Sequence, residues 1–288
     1  MNESAPSTDT PSTDAPSTVA PSAVVTGAAG GIGLALAHAF AASGHRVVLS
    51  DLREGALNEA RDRIAESVPG AELLAVRTDV TDFDDVAALA DTVAGEWGTP
   101  DIVVNNAGII GPVGPVWEGP LDQWELSMRI NYWGVLHGMR AFLPAMIERG
   151  SGRVVNTASV ASWSSGPRMG SYGSTKHAVL ALTESASREL REIGSAVRVS
   201  MICPTTVRTG LVNHLEEAGG ADEVGRARLL AAREHGLSPE EVATIVLKGI
   251  AEDRYVITTD QAWLINAAKQ RLAIAEGAEP PMDREPPR

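Results

Sequence analysis

The chain has 288 residues, 44% apolar and 21% charged, enough for one substantial soluble core with no call for a second domain. Its formal net charge of −13 argues against nucleic acid or an anionic membrane surface as a partner, because both want a basic face. No apolar run approaches a membrane span, and one cysteine with six scattered histidines provides neither a disulfide framework nor metal-ligand spacing, so no metal is assigned.

The opening segment, residues 1–21, contains "APSTDTPSTDAPSTVAPS" running into residue 22. It repeats Pro-Ser-Thr every five residues, offers nothing to bury, and is expected to be a disordered tail. Lacking a basic and then an apolar stretch, it does not read as a secretory signal, and cytoplasm is the expected compartment. From Ala23 short β-branched runs alternate with longer amphipathic segments. Strands are predicted at 23–27, 46–51, 72–79, 101–108, 152–159 and 196–204, with an edge strand at 254–258. Helices are predicted from Ile32 to Gly44, up to about Val68, across 82–98, and around 121–149 and 171–193. Residues 207–236 are predicted to form a helical lid, and 276–288 a polar tail. That alternation specifies a doubly wound parallel sheet, an α/β Rossmann fold in a single domain over 22–275. Such sheets bind ligands beyond the carboxyl ends of their strands, which directs attention to 26–33, 51, 79, 105–108, 159 and 204–209.

The first of these loops is "TGAAGGIG", with Gly27, Gly31 and Gly33 between a strand and a helix. Glycines there permit a tight turn and let a pyrophosphate approach the N–H groups of the helix N-terminus. Asp51 ends the second strand, where a carboxylate can accept hydrogen bonds from ribose hydroxyls. In "SYGSTK", Tyr172 and Lys176 are four residues apart and share a helix face. A free phenol titrates near 10, and a neighbouring ammonium, aided by a positively charged nicotinamide, is expected to bring it down by roughly 1–3 pH units.

Five separated motifs then resemble one family. Thr26-Gly27-x-x-x-Gly31-x-Gly33, Asn105-Asn106-Ala107-Gly108, Ser159, Tyr172-x-x-x-Lys176 and Pro204-x-x-Val207-x-Thr209 occur in the order of the short-chain dehydrogenase/reductase family, in its compact single-domain branch. The resemblance spans about residues 22 to 265 and implies a catalytic set of Asn131, Ser159, Tyr172 and Lys176. Asn131 would hold a water in a proton relay, Ser159 would bond the substrate oxygen, and Tyr172 would serve as general acid or base. Cofactor contacts are implied for Gly27, Gly31, Ile32, Gly33, Asp51, Asp79, Val80, Asn106, Ala107, Gly108, Tyr172, Lys176, Pro204, Val207 and Thr209. Asp79 and Val80 would touch adenine, and Thr209 the nicotinamide side. One departure is visible: Thr205 follows Pro204 where the family has glycine.

The expected activity is NAD-dependent interconversion of a small-molecule secondary alcohol and a ketone, with NAD favoured over NADP by the Asp51 carboxylate. The rivals are an NADPH-dependent carbonyl or 3-oxoacyl reductase and a catalytically silent dinucleotide sensor. Trp117, Trp163 and Met169 are candidates for an apolar substrate pocket, while Arg168 reads as a solvated arginine and Cys203 as a buried strand residue. Apolar surface on the helices around 121–149 and 171–193, together with the resemblance, leads to an expected homo-oligomer, a tetramer or dimer.

Overall fold

The computed structural model describes residues 19–212 and 222–281, so parts of the expected tails and of the expected lid lie outside the described residues. Seven parallel strands form one sheet: β1 Ser22–Thr26, β2 Arg46–Asp51, β3 Leu73–Arg77, β4 Ile102–Asn105, β5 Arg153–Thr157, β6 Arg198–Cys203 and β7 Val256–Thr258. Their spatial order is β3-β2-β1-β4-β5-β6-β7, with the winding direction reversing between β1 and β4. The helices are α1 Gly31–Ala42, α2 Glu54–Ser67, α3 Phe83–Trp97, α4 Leu121–Met128, α5 Gly134–Arg149, α6 Gly170–Glu192, α7 Glu223–Glu234, α8 Pro239–Ala251 and α9 Gln261–Ala275.

Alternation along each strand divides the core in two. Val24, Val48, Val103, Val154 and Val199 turn to one face and pack against α3, α5 and α6 through residues such as Leu89, Phe142 and Val179. Their neighbours Ala23, Val25, Leu49, Val104 and Ile202 turn to the other, against Leu36 and Phe40 of α1, Ile64 of α2 and Val246 of α8. Strands buried on both faces need helices on both faces, and the doubly wound arrangement supplies them. Truncating a fully buried side chain such as Phe40 to alanine would cost about 3–5 kcal/mol.

Most strands end earlier than the sequence suggests, for a consistent reason. Past Asn105 the N–H groups of Asn106 and Ala107 turn to the Thr26 hydroxyl, at 3.0 and 3.1 Å, instead of a ladder partner. Past Thr157, Ser159 caps a short 3₁₀ turn, Val160–Ser162, by accepting from Ala161 N–H at 3.0 Å. The final residues of these runs thus leave the sheet to build loops at its carboxyl edge. The helix predicted around 121–149 is interrupted at Arg129–Trp133, where one π turn separates α4 from α5.

Candidate active site

The reversal between β1 and β4 opens a crevice, and the loops following these two strands line it. Gly27 and Gly31 take φ of +67° and +54°, a region in which a side chain is strained. A Cβ on Gly33 would lie 2.2 Å from the Gly27 carbonyl oxygen and 2.6 Å from Asn106 Nδ2. Only glycine fits that contact. Asn106 Nδ2 in turn donates to the Thr26 carbonyl at 2.9 Å, so the loops after β1 and β4 are fastened together. The N-terminus of α1 carries no side-chain cap, and a Cβ on Gly30 would meet open space. This uncapped, open helix N-terminus fits the phosphates of a dinucleotide.

Asp51, buried at the end of β2, accepts from Ala29 N–H of the glycine loop at 3.1 Å and from Arg53 N–H and Nε at 3.1 and 3.4 Å. A carboxylate offers about four lone-pair sites, so acceptor capacity remains for a ribose hydroxyl. Asp79 is less available, since its Oδ1 already takes the Thr81 N–H at 2.9 Å. Val80 presents its carbonyl to His137 Nδ1 at 2.9 Å, and its side chain lies against Gly134. Across the crevice Thr209 closes over Gly31, where a Cβ would come within 3.2 Å of Thr209 Cγ2. The segment from Pro204 to Thr209 is held by Val160 N–H on the Pro204 carbonyl and by a short bridge between Val207 and Leu237. Thr205, the departure from the family pattern, bonds Thr259 twice, through its N–H and its hydroxyl, each at 2.9 Å.

Ser159, Tyr172 and Lys176 come together at the mouth of this crevice. Ser159 lies beside Tyr172, near enough for its hydroxyl to act on the phenol, and Lys176 Nζ stands 5.6 Å from the Tyr172 ring centroid. Lys176 is buried and donates to the Thr157 carbonyl at 2.7 Å. Burial lowers its pKa to about 8, with Cys203 pulling the other way. The protein's own contribution to the phenol runs upward. Burial pushes Tyr172 upward and outweighs the Ser159 hydrogen bond, so the lysine does not bring the phenol below its ordinary value in the protein alone. Cys203, a buried strand residue beneath the site, has its thiol pushed up to about 11 by burial and so stays a thiol at neutral pH.

Asn131 sits in the π turn, fully buried. Its Oδ1 accepts from Ile109 N–H at 2.8 Å, while Nδ2 donates to the Ile109 carbonyl at 2.8 Å and to Thr175 Oγ1 at 3.0 Å. Both amide donors are thus spent on pinning the loop after β4 to α6, and the side chain has no donor left for a water. A Cβ on Gly108 would lie 3.1 Å from Asn131 Oδ1 and 3.6 Å from Lys176 Nζ, so Gly108 keeps this junction open.

The substrate side departs furthest from the sequence reading. Trp117 is 81% exposed. Trp163 packs at the rim of the core beside α6, and its carbonyl accepts from Arg271 Nε at 2.9 Å. Met169 does meet the catalytic end, in a small apolar cluster of Ile110, Val113, Met169, Leu211 and Leu229 with the Tyr172 ring. Ile110, Val113, Leu211 and Leu229 escaped sequence reasoning because they come from the loop after β4, a 3₁₀ turn at Gly210–Val212 and α7. The one available signal was their apolar character near motif residues. Arg168, read as solvated, is instead paired with Asp222.

A family model described as short chain dehydrogenase matches residues 21–219. The chain belongs to that family. The dehydrogenase is 39% identical over 236 residues to 1-deoxy-11-beta-hydroxypentalenate dehydrogenase of Streptomyces exfoliatus, covering 81% of this chain and 80% of that one. It is 39% identical over 187 residues to 2-(R)-hydroxypropyl-CoM dehydrogenase of Xanthobacter autotrophicus, covering 64% and 74%. Among solved structures it resembles a short chain dehydrogenase/reductase from Burkholderia phymatum in complex with NAD, at 35% identity and a TM-score of 0.86 over 92% of this chain and 98% of that one. The chain is therefore an oxidoreductase of a family that uses a nicotinamide dinucleotide.

Proposed function

We propose that the chain interconverts a secondary alcohol and a ketone with NAD as its cofactor and Tyr172 as general acid and base. The observation that carries this reading is the meeting of Ser159, Tyr172 and Lys176 beside the glycine loop. Gly27, Gly31, Ile32 and Gly33 with the N-terminus of α1 would hold the pyrophosphate, Asp51 the adenosine ribose, and the 106–108 and 204–209 loops the nicotinamide end. Bound there, the nicotinamide dinucleotide supplies the hydride acceptor or donor. Ser159 holds the substrate oxygen in line with the phenol, and Tyr172 exchanges the hydroxyl proton with it. Because burial raises the phenol, Tyr172 carries its proton at neutral pH and stands ready as the acid towards a carbonyl. With a pKa of about 8, Lys176 is mostly an ammonium at neutral pH and favours the phenolate left after that transfer. Asn131 acts by holding the loop after β4 against α6.

Asp51 supports NAD over NADP. A 2′-phosphate would meet the buried carboxylate at close range, and unit charges 4 Å apart interact by roughly 4 kcal/mol at an effective dielectric of about 20. Arg53, the nearby cation, already bonds Asp51 through Nε. The expected result is a large preference for NAD in kcat/KM, measured over a panel of secondary alcohols by absorbance of the reduced cofactor. Asp51→Ala combined with Leu52→Arg should narrow or reverse it. Equal efficiency with both cofactors in the unaltered protein would overturn the assignment.

A further inference from the structure

The apolar cluster around Tyr172 has a far wall, and the polar contacts that seat it lie outside the catalytic set. Leu229 comes from α7, and α7 is attached to the rest of the site at its N-terminal end. Asp222 caps that helix by accepting from Gly225 N–H at 2.7 Å, and its own N–H donates to the Val113 carbonyl at 2.9 Å. The same Asp222 carboxylate pairs with Arg168, with both side chains about two-thirds covered. Arg168 holds a left-handed φ of 69° that a side chain rarely adopts, and its carbonyl accepts from Gly114 N–H at 3.1 Å. A parallel bridge joins Gly114 to Met169 beside it. Gly225 completes the seat, since a Cβ there would fall 2.5 Å from Val113 Cγ1. Three segments distant in sequence, 110–114, 168–169 and 222–225, thus form one clasp behind the substrate position.

We propose that the Arg168–Asp222 pair, with Gly225 seated on Val113, fixes α7 as the wall of the substrate pocket and selects secondary alcohols with a bulky, uncharged hydrocarbon body. This rests on the dehydrogenase reading above. The wall that α7 completes presents aliphatic side chains, so binding there comes from burying hydrocarbon against Ile110, Val113, Met169, Leu211 and Leu229. The Arg168 guanidinium is paired with Asp222 and is not offered to an anionic substrate. A small alcohol reaches Ser159 and Tyr172 without touching α7, whereas a large one depends on the wall being seated. Asp222 and Arg168 are positioning residues, acting through Val113 and Leu229.

Asp222→Asn tests this, because asparagine keeps the helix cap and removes the charge. With NAD⁺ saturating, KM for trans-2-decalol is expected to rise about three- to tenfold, as for loss of a partly covered ion pair, and KM for propan-2-ol less than twofold. Arg168→Lys, which keeps the charge, should lie closer to the unaltered protein than Asp222→Asn does. Sodium chloride should raise the decalol KM of the unaltered protein and leave that of Asp222→Asn flat. A decalol KM that does not move, or that moves equally with that of propan-2-ol, overturns the proposal. Hydrogen exchange of residues 223–234 gives a readout that needs no turnover. Faster exchange in Asp222→Asn is expected, and unchanged exchange refutes the clasp. Faster exchange in a protein that oxidises no secondary alcohol of the panel would refute the proposed secondary-alcohol activity and leave the clasp standing.

Discussion

Around Gly27, Gly33 and Asn106 main-chain groups are held at close quarters by the Thr26 hydroxyl and the Asn106 side-chain amide, with hydrogen bonds of 2.9–3.1 Å and a glycine whose missing Cβ leaves no room to spare. Around Val113, Met169 and Leu229 it is held by aliphatic side chains and one ion pair brought from separate segments. The first region admits almost no substitution, because a clash with backbone has no rotamer to escape into. The second can be rewritten residue by residue without disturbing the sheet. A scaffold divided in this way keeps one cofactor and one chemistry while its substrates change.

The sharpest test of that division is Tyr172→Phe, which stands between the two regions. Loss of the proton route should lower kcat by about 10²–10⁴-fold with the affinity for NAD retained, as steady-state rates and a binding titration would show. Near-normal turnover would refute the assignment. Gly33→Ala probes the main-chain region alone. Its Cβ would lie 2.2 Å from the Gly27 carbonyl, and overpacking of about 1–3 kcal/mol corresponds to roughly a five- to hundredfold loss of affinity for NAD. A fluorescence titration with NAD that gave an unchanged Kd would break the contrast.

Lys176 gives a smaller effect with a definite sign. Its pKa falls from 10.5 to about 8 on folding, so above pH 8 the unfolded chain binds more protons and stability rises with pH. Cys203, raised from 9.0 to about 11, acts oppositely above pH 9, because there the folded chain holds the extra proton. The melting temperature of the cofactor-free protein should therefore gain from Lys176 between about pH 8 and 9, and Lys176→Met should remove that gain. The smallest effect belongs to Trp117→Ala. At 81% exposure and outside the apolar cluster, Trp117 should change kcat/KM less than twofold. A larger change would return it to the pocket.

The same contrast explains what the sequence made legible. The sheet was readable because most strands are short runs rich in β-branched residues, with Gly27 just after β1 and Asp51 ending β2. Glycines at forced positions and a Tyr–Lys pair one helical turn apart leave a local trace. The helix α8 carries a local signal too, a capping box of Ser238 and Glu241 at its start, which the sequence reading passed over. No local trace marks Val113 and Leu229 as neighbours, for they meet only through the fold. The direction of the Tyr172 shift was also hidden, because burial depends on every element packed around the phenol and not on Lys176 alone.

The π turn at Arg129–Trp133 has a geometric consequence for the catalytic end. An α-helix advances about 100° per residue, so one extra residue in a turn puts α4 and α5 out of phase by about that angle. The rod from Leu121 to Arg149 can therefore show one stripe to α6 and another to α3 and the sheet. Asn131 lies at the slip itself, its amide turned inward between the two stripes. Deleting a single residue there would bring the halves back into step and swing that amide about a quarter-turn away from Ile109. The register of one helix is thus an adjustable screw, and its setting decides whether the loop after β4 and the helix bearing Tyr172 are fastened together.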